Sequence, residues 1–390
     1  MDDSARALTP DVARSVKSDA LTDRLLDWRD RLLASPDFQR AAARFPLTRW
    51  IARRRAKALF DLVAGFTYSQ VLLACVRLGI FDWLLERPRS LGELVLHSGL
   101  DEDAATRLLA AAISLGLVER RRDQRFGLGP LGAPMARSRA LSAMVEHHAV
   151  LYADLADPVA LLRGLPPASA STRLSEVWGY AANPEPGGLD DARIAGYSAL
   201  MSASQSLVAD QILDAYPLAR HRHLLDVGGG EGGFAISVAR RHPHLQVTVF
   251  DLPAVAARAR ERLQREGLGS RVSATGGDFV RDALPPGADI ATLVRVVHDH
   301  DDEVAQGLLQ SVHAALPDGG VLLIGEPMSG TAGAEAMGDA YFGMYLLAMG
   351  SGRPRTPERL GAMLAGAGFR RTRLLATSLP LQTRVIAAFK

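Results

Sequence analysis

Two hydrophobic rhythms divide the chain. Up to about residue 215, apolar side chains recur at the three-and-four spacing of helices; from about residue 223, short β-branched runs alternate with helical stretches. The first rhythm starts in a charged helical arm, residues 1–60, punctuated by Pro10, Pro36 and Pro46. Leu72, Val76, Leu78, Ile80, Phe81, Leu84 and Leu85 then mark an apolar helical block. Ser90, followed three residues on by Glu93, predicts a capping box opening a second helix. Asp101 is placed to cap a third over 102–115, which Gly116 ends. The runs 117–120 and 125–128, joined by a charged turn through Asp123, read as a β-hairpin. Helices followed by a wing over residues 61–135 predict a winged-helix module. Residues 136–215 predict a helical connector, with a loop at 179–188 and a helix through Tyr197, Leu200, Met201 and Leu207.

The second rhythm, residues 216–390, places strands at 224–227, 247–250, 272–275, 290–297 and 321–325, with helices at 254–266 and 303–316. Such alternation predicts a doubly wound, mostly parallel α/β sheet. The end differs. Runs 372–377 and 383–389 have Pro380 but no helix between them, which predicts an antiparallel terminal hairpin.

Composition narrows the function classes. At 390 residues, 48% hydrophobic and 23% charged, the chain has material for two or three globular cores. A formal charge of +2 argues against binding a polyanion over the whole surface. The sole cysteine, Cys75, sits among Leu72, Leu73 and Val76 and reads as a buried structural thiol, which suits a reducing compartment. No apolar run reaches the ~20 residues of a bilayer span. Acidic residues follow Met1 where a signal peptide would carry base. A cytoplasmic protein is expected.

One segment departs from this neutrality. Between Asp37 and Asp61 there is no acid, while Arg40, Arg44, Arg49, Arg53, Arg54, Arg55 and Lys57 interleave with Phe45, Leu47, Trp50 and Ile51. Residues 40–57 fit peripheral contact with an anionic bilayer, and equally a solvated helix face within a dimer. The predicted third helix of the winged module carries Glu102, Asp103 and only Arg107, a poor surface for phosphate, so no nucleic-acid partner is expected.

Chemistry concentrates at the predicted strand ends, where open α/β sheets bind ligands. Asp226-Val227-Gly228-Gly229-Gly230-Glu231-Gly232-Gly233 runs from a strand through a glycine turn into a helix, a backbone that can approach a nucleotide-like cofactor closely. Gly228-x-Gly230-x-x-Gly233 also satisfies the dinucleotide fingerprint by spacing. Asp251 closes the next strand, where a carboxylate can take two ribose hydroxyls of either cofactor. Asp278 followed by Phe279 ends the third strand and can take an adenine amine and cover its ring; the bland reading of Asp278 is a cap. Arg295 and His298 close the fourth strand, and Glu326 ends the fifth. His300, Asp299, Asp301 and Asp302 are better read as a turn with a helix cap than as a metal site.

Leu225-Asp226-Val227-Gly228-Gly229-Gly230, Phe250-Asp251-Leu252-Pro253, Gly277-Asp278-Phe279 and Val297-His298-Asp299-His300-Asp301-Asp302-Glu303 resemble the class I, S-adenosylmethionine-dependent O-methyltransferases related to caffeate and hydroxyindole methylating enzymes. Further stretches, Gly325-Glu326-Pro327-Met328-Ser329-Gly330, Gly338-Asp339-Ala340-Tyr341-Phe342 and Gly352-Arg353-Pro354-Arg355-Thr356, resemble the carotenoid-modifying hydroxyneurosporene group of phototrophic bacteria. The resemblance implies a seven-stranded Rossmann-like methyltransferase sheet and a winged-helix dimerisation domain that makes a homodimer. It implies S-adenosylmethionine held by Gly228, Gly230, Asp251, Asp278, Phe279 and Arg295. It implies His298 as general base with Glu326 holding its ring, and no metal. The hydrophobic small-molecule acceptor would lie against Met201, Met337, Tyr341, Phe342, Met344, Tyr345 and Met349, a set that equally suits a core or a dimer interface. Two departures stand out. Pro354 replaces the acid of a Gly-Lys-Glu-Arg-Thr motif, and His300 replaces a tryptophan, removing an aromatic surface near the adenine. Other secondary metabolites (phenol, polyketide or tetrapyrrole) stay open as acceptors, and a non-catalytic regulator is the alternative of another class.

Overall fold

The computed structural model describes residues 10–164, 171–177, 205 and 208–390, with side chains from residue 22. The loop expected at 179–188 and the helix through Tyr197, Leu200, Met201 and Leu207 lie outside the described residues. The chain forms two compact units, Met1–Leu78 with Pro88–Gly129 and Gly79–Arg87 with Pro130–Lys390.

The first unit holds helices Pro10–Ala34, Pro36–Arg44, Arg49–Arg77, Leu91–Ser98 and Glu102–Ser114, followed by strands β1, Val118–Arg120, and β2, Phe126–Leu128. Its caps follow from local chemistry. Ser90 N–H donates to Glu93 Oε2 at 2.8 Å, completing the capping box, and Asp101 Oδ1 accepts from Ala104 N–H at 2.7 Å. The two strands pair antiparallel with Val118 opposite Leu128. Leu73, Leu94, Leu109, Leu117 and Phe126 are buried here, as is Cys75, whose thiol burial pushes up to about 11. Burial thus keeps that cysteine an inert neutral thiol.

One expectation fails in this unit. The helix Arg49–Arg77 runs unbroken for 29 residues, with a mean hydropathy of 1.6 over its most apolar 18-residue window. By length and composition alone it is able to cross a membrane, where the sequence predicts no such segment. Asp61, Thr67, Ser69 and Gln70 interrupt the apolar run in sequence but do not interrupt the helix. Leu59, Phe60, Leu62, Val63 and Phe66 are all exposed on it.

In the second unit a seven-stranded sheet is built from β3 (His223–Val227), β4 (Gln246–Asp251), β5 (Val272–Gly276), β6 (Ile290–Val294), β7 (Val321–Glu326), β8 (Arg371–Leu375) and β9 (Arg384–Phe389). The order is β5-β4-β3-β6-β7-β9-β8, with only β9 antiparallel to its neighbours β7 and β8. The order reverses between β3 and β6, so the switch-point crevice opens where their carboxyl ends diverge. Side chains are buried on both faces. Leu224, Val247, Val249 and Leu323 pack with Phe234, Val238, Ala256 and Leu263 from helices Gly233–Arg241 and Pro253–Arg265. Leu225, Leu293, Leu322 and Ile324 pack with Leu308, Leu309, Leu360 and Leu364 from helices Asp302–Ala315 and Pro357–Gly366. Two-sided burial explains why these strands read as continuous apolar runs.

The fourth parallel strand is shorter than expected. It stops at Val294; Arg295 takes a left-handed φ of 57°, and a single 3₁₀ turn, Val297–Asp299, follows. His298 therefore stands on a turn beyond the strand rather than at its end.

Candidate active site

At the end of β3 the backbone turns through Gly228, Gly230 and Gly232 with φ of 67°, 58° and 78°, a region only glycine enters without strain. A Cβ on Gly228 would lie 2.7 Å from Val296, so this residue is small because of packing. A Cβ on Gly230 would meet nothing within 4 Å, so the backbone there faces open space that a ligand can fill. Asp251, ending β4, closes the turn: its Oδ2 accepts from Gly230 N–H at 2.8 Å and its Oδ1 from Leu252 N–H at 2.8 Å. Burial raises the Asp251 pKa, opposed by those two donors. Beneath the turn, Asp226 is 1% exposed and its Oδ1 accepts from Thr292 Oγ1 at 2.7 Å. Its Oδ2 makes no hydrogen bond, and burial pushes this carboxyl up to about 7.

Asp278 and Phe279 follow β5. Asp278 Oδ1 accepts from Val280 N–H at 2.9 Å, so the residue braces its own turn, as the bland reading of a cap expects. Phe279 meets the ring of His300 edge-on at 5.2 Å. The imidazole of His300 thus sets a smaller ring beside Phe279 at the position where the resemblance expects a tryptophan.

His298 is 4% exposed, and three groups define its setting. Its Nε2 lies 3.1 Å from Asp299 Oδ1, and Phe342 stacks on the ring at 5.6 Å between centroids and 29° between planes. Glu326, fully buried at the end of β7, accepts from the His298 backbone N–H at 3.1 Å. The sequence places Glu326 on the ring; here it holds the main chain, and Asp299 is the ring's hydrogen-bonding neighbour. His298 Nδ1 and Glu326 Oε1 are both buried without a partner. Burial works against a charged ring, but the carboxylates of Asp299 and Glu326 together lift the His298 pKa above its ordinary value. Burial raises that of Glu326.

The turn is clamped from across the site. Arg355, 3% exposed, donates to the carbonyls of Val297 at 2.8 Å and His300 at 2.7 Å, and to Asp302 Oδ1 at 2.8 Å. Arg353 N–H donates to His298 O at 2.9 Å. A Cβ on Gly352 would lie 2.1 Å from that same carbonyl, so only glycine permits the approach. The expected N-cap for the next helix is only positional: Asp301 occupies the cap, yet its Oδ1 accepts from Gly352 N–H at 3.2 Å instead. Among the described residues no group of three or more His, Cys, Asp or Glu is arranged to hold a metal ion.

Beyond Phe342 lies an aromatic wall. A π-helical turn, Ala336–Tyr341, leads into helix Phe342–Met349, which packs against helix Arg139–Asp154. Tyr341 meets Phe342 edge-on at 4.9 Å and lies 5.8 Å from Tyr345. The Tyr341 hydroxyl pairs with His148 Nε2 at 2.8 Å and that of Tyr345 with His147 Nε2 at 2.7 Å. Met349 is fully buried in a core with Leu151 and Leu174, so it packs behind the wall; Met201 lies outside the described residues. Arg295 donates its N–H to Gly325 O at 2.9 Å, and its charge reaches both His298 and Tyr341. The structure therefore gathers the predicted residues into two neighbouring groups. One holds Gly228, Gly230 and Asp251, with Asp278 and Phe279 at the next strand end; the other holds His298, Glu326, Tyr341 and Tyr345. Sequence reasoning gave Asp299 and Arg355 no part in holding His298 and its turn, and missed His147 and His148. The adjacent histidines in an apolar helix were the one visible signal.

Comparison with known proteins agrees with this geometry. Residues 152–370 match the O-methyltransferase domain, and residues 60–138 match the O-methyltransferase dimerisation domain, which supports homodimer formation. The chain is 41% identical over 361 residues to demethylspheroidene O-methyltransferase of Cereibacter sphaeroides, covering 92% of this chain and 94% of that protein. It is 34% identical over 345 residues to acetylserotonin O-methyltransferase of Mus musculus, covering 82% and 85%. Human N-acetylserotonin methyltransferase, solved in complex with SAM, shares the fold with a TM-score of 0.70 at 24% identity, covering 86% of this chain and 97% of that one. The open backbone at Gly230 and the unpartnered Asp226 Oδ2 fit a bound S-adenosylmethionine. With a matching catalytic domain, a matching dimerisation domain and the crest geometry in agreement, the chain belongs to the S-adenosylmethionine-dependent O-methyltransferases.

Proposed function

We propose that the protein methylates the tertiary C1 hydroxyl of an acyclic carotenoid, with His298 as the general base. When bound, S-adenosylmethionine supplies an electrophilic methyl group and a good leaving group. The glycine turn, Asp251, Asp278, Phe279 and Arg295 are the residues that would hold it. An aliphatic alcohol is far too weak an acid to ionise at neutral pH, so a base must take its proton as the carbon–oxygen bond forms, typically a 10²- to 10⁴-fold effect. The observation that carries this reading is the burial of one imidazole on a clamped turn beside two carboxylates, which favour the protonated ring that results. The carotenoid acceptor draws support from the demethylspheroidene O-methyltransferases of Cereibacter sphaeroides and Rhodobacter capsulatus, the latter 42% identical over 359 residues and covering 92% of this chain and 88% of its own. Incubation with labelled cofactor and a panel of hydroxylated acyclic carotenoids, tetrapyrroles and phenols tests it. Label should enter the carotenoid hydroxyl; label confined to a phenol or tetrapyrrole would overturn the acceptor.

The homodimer would present its basic arm to an anionic bilayer on the cytoplasmic face, where such an acceptor dissolves. Exposure supports this: Arg53, Arg54 and Arg55 are exposed, as are Phe45, Leu47 and Trp50, on a stretch without acid. Co-sedimentation with anionic vesicles should fall when the three arginines are replaced by Ala. Equal binding to neutral and anionic vesicles would contradict it.

A further inference from the structure

The wall beside His298 contains two tyrosines, an unexpected choice where an apolar acceptor must bind. Their hydroxyls are not offered to a ligand. Each is taken by a histidine of helix Arg139–Asp154. His148 shows the direction of the bond: its Nδ1 lies against the carbonyl of Met144, which only accepts, so Nδ1 carries the proton of a neutral ring. Nε2 is then an acceptor, and the Tyr341 O–H donates to it. Burial lowers the pKa of both histidines, that of His147 to about 4, which keeps them neutral acceptors at physiological pH.

The rings themselves form a continuous surface. His298 stacks on Phe342, Phe342 meets Tyr341 at 4.9 Å and Tyr345 at 6.3 Å, and Tyr341 and Tyr345 lie 5.8 Å apart. Tyr341 and Phe342 are half-buried and so retain ring area to offer, while Tyr345, 6% exposed, backs them. With both hydroxyls drawn away, what remains is aromatic face leading outward from the base.

We propose that His147 and His148 are positioning residues that cap the hydroxyls of Tyr345 and Tyr341, turning the wall from His298 outward into an apolar aromatic rail selective for an extended conjugated chain. The inference rests on the carotenoid reading above and deepens it: the reactive hydroxyl sits at the imidazole while the polyene lies along Phe342 and Tyr341. Delocalised chains stack on ring faces through dispersion and need no hydrogen bond. An uncapped buried hydroxyl would impose a desolvation penalty on such a chain, whereas removing both partners of the pair leaves nothing unsatisfied.

That asymmetry supplies the test. The variants are His148→Leu, His147→Leu, Tyr341→Phe, Tyr345→Phe and the doubles His148→Leu/Tyr341→Phe and His147→Leu/Tyr345→Phe. Each is assayed for KM and kcat with a hydroxylated acyclic carotenoid, for KM of the cofactor, and for Tm. The histidine singles should raise the carotenoid KM about tenfold with the cofactor KM unchanged. The tyrosine singles, which leave only a histidine Nε2 without its donor, should raise the carotenoid KM less than the histidine singles, and each double should fall below its histidine single because neither partner is left unsatisfied. A tenfold rise in Tyr341→Phe would show that its hydroxyl contacts the acceptor and would overturn the capping. So would doubles no better than the histidine singles. Failure of the wild type to methylate any carotenoid, with Tm rescue intact in the doubles, would overturn the acceptor reading and the polyene rail with it.

Discussion

The glycine-turn crest and the aromatic wall, proposed to hold cofactor and acceptor, belong to one unit yet are built by opposite means. The crest is local: Gly228, Gly230 and Asp251 come from two adjacent parallel strands and bond main chain to side chain. The wall is assembled from residues 198 and 193 positions apart, joined only through side chains. A backbone site of this kind fixes one ligand and tolerates little change, because its shape is the fold itself. A side-chain wall can be rewritten without disturbing the strands, which is how one family serves acceptors of different shape.

The sharpest way to separate the two is to remove His298, the imidazole proposed as base. His298→Ala should lower kcat by about 10²- to 10⁴-fold while leaving cofactor affinity near wild type, read by steady-state kinetics and calorimetry. Full activity in that variant would end its role as base. A smaller effect is expected at the crest. Gly228→Ala forces a Cβ into Val296 at 2.7 Å with φ at 67°, and the turn must shift. Cofactor affinity should fall about tenfold through the ~1–3 kcal/mol of strain, with the ranking of acceptors unchanged. A change in acceptor preference instead would show that crest and wall are not independent.

The smallest predicted effect concerns the carboxyl beneath the crest. Burial raises Asp226 from 3.8 to about 7, so the folded state holds this proton more tightly than the unfolded chain. Its contribution to stability is fully present below 3.8, falls as pH rises and is gone above about 7. Asp226→Asn cannot ionise. Its Tm advantage over wild type, measured without cofactor, should therefore widen from pH 4 to about 7 and then level. A constant offset would show that Asp226 is ionised throughout.

The same contrast explains what the sequence made legible. The capping box at Ser90, the glycine turn, the ends of β3, β4 and β7 and the antiparallel closing hairpin all rest on neighbouring residues or on one-strand periodicities. The shape of the His298 turn did not, because it depends on Arg355 reaching back to the carbonyls of Val297 and His300. Nor did the ring's partner: Asp299 is adjacent in sequence, but only the left-handed Arg295 and the turn after it decide that it, and not Glu326, faces Nε2. The helix Arg49–Arg77 was obscured for a different reason, since polar residues broke its apolar run but spared its backbone.

Calorimetric titration of S-adenosylhomocysteine, the spent form of the cofactor, into wild type and Asp251→Ala addresses the central claim directly. The account predicts saturable uptake by the wild type and affinity at least about tenfold weaker in the variant, since Asp251 both closes the turn at Gly230 and would face the ribose. No uptake by the wild type, or equal affinity in the two proteins, would contradict it.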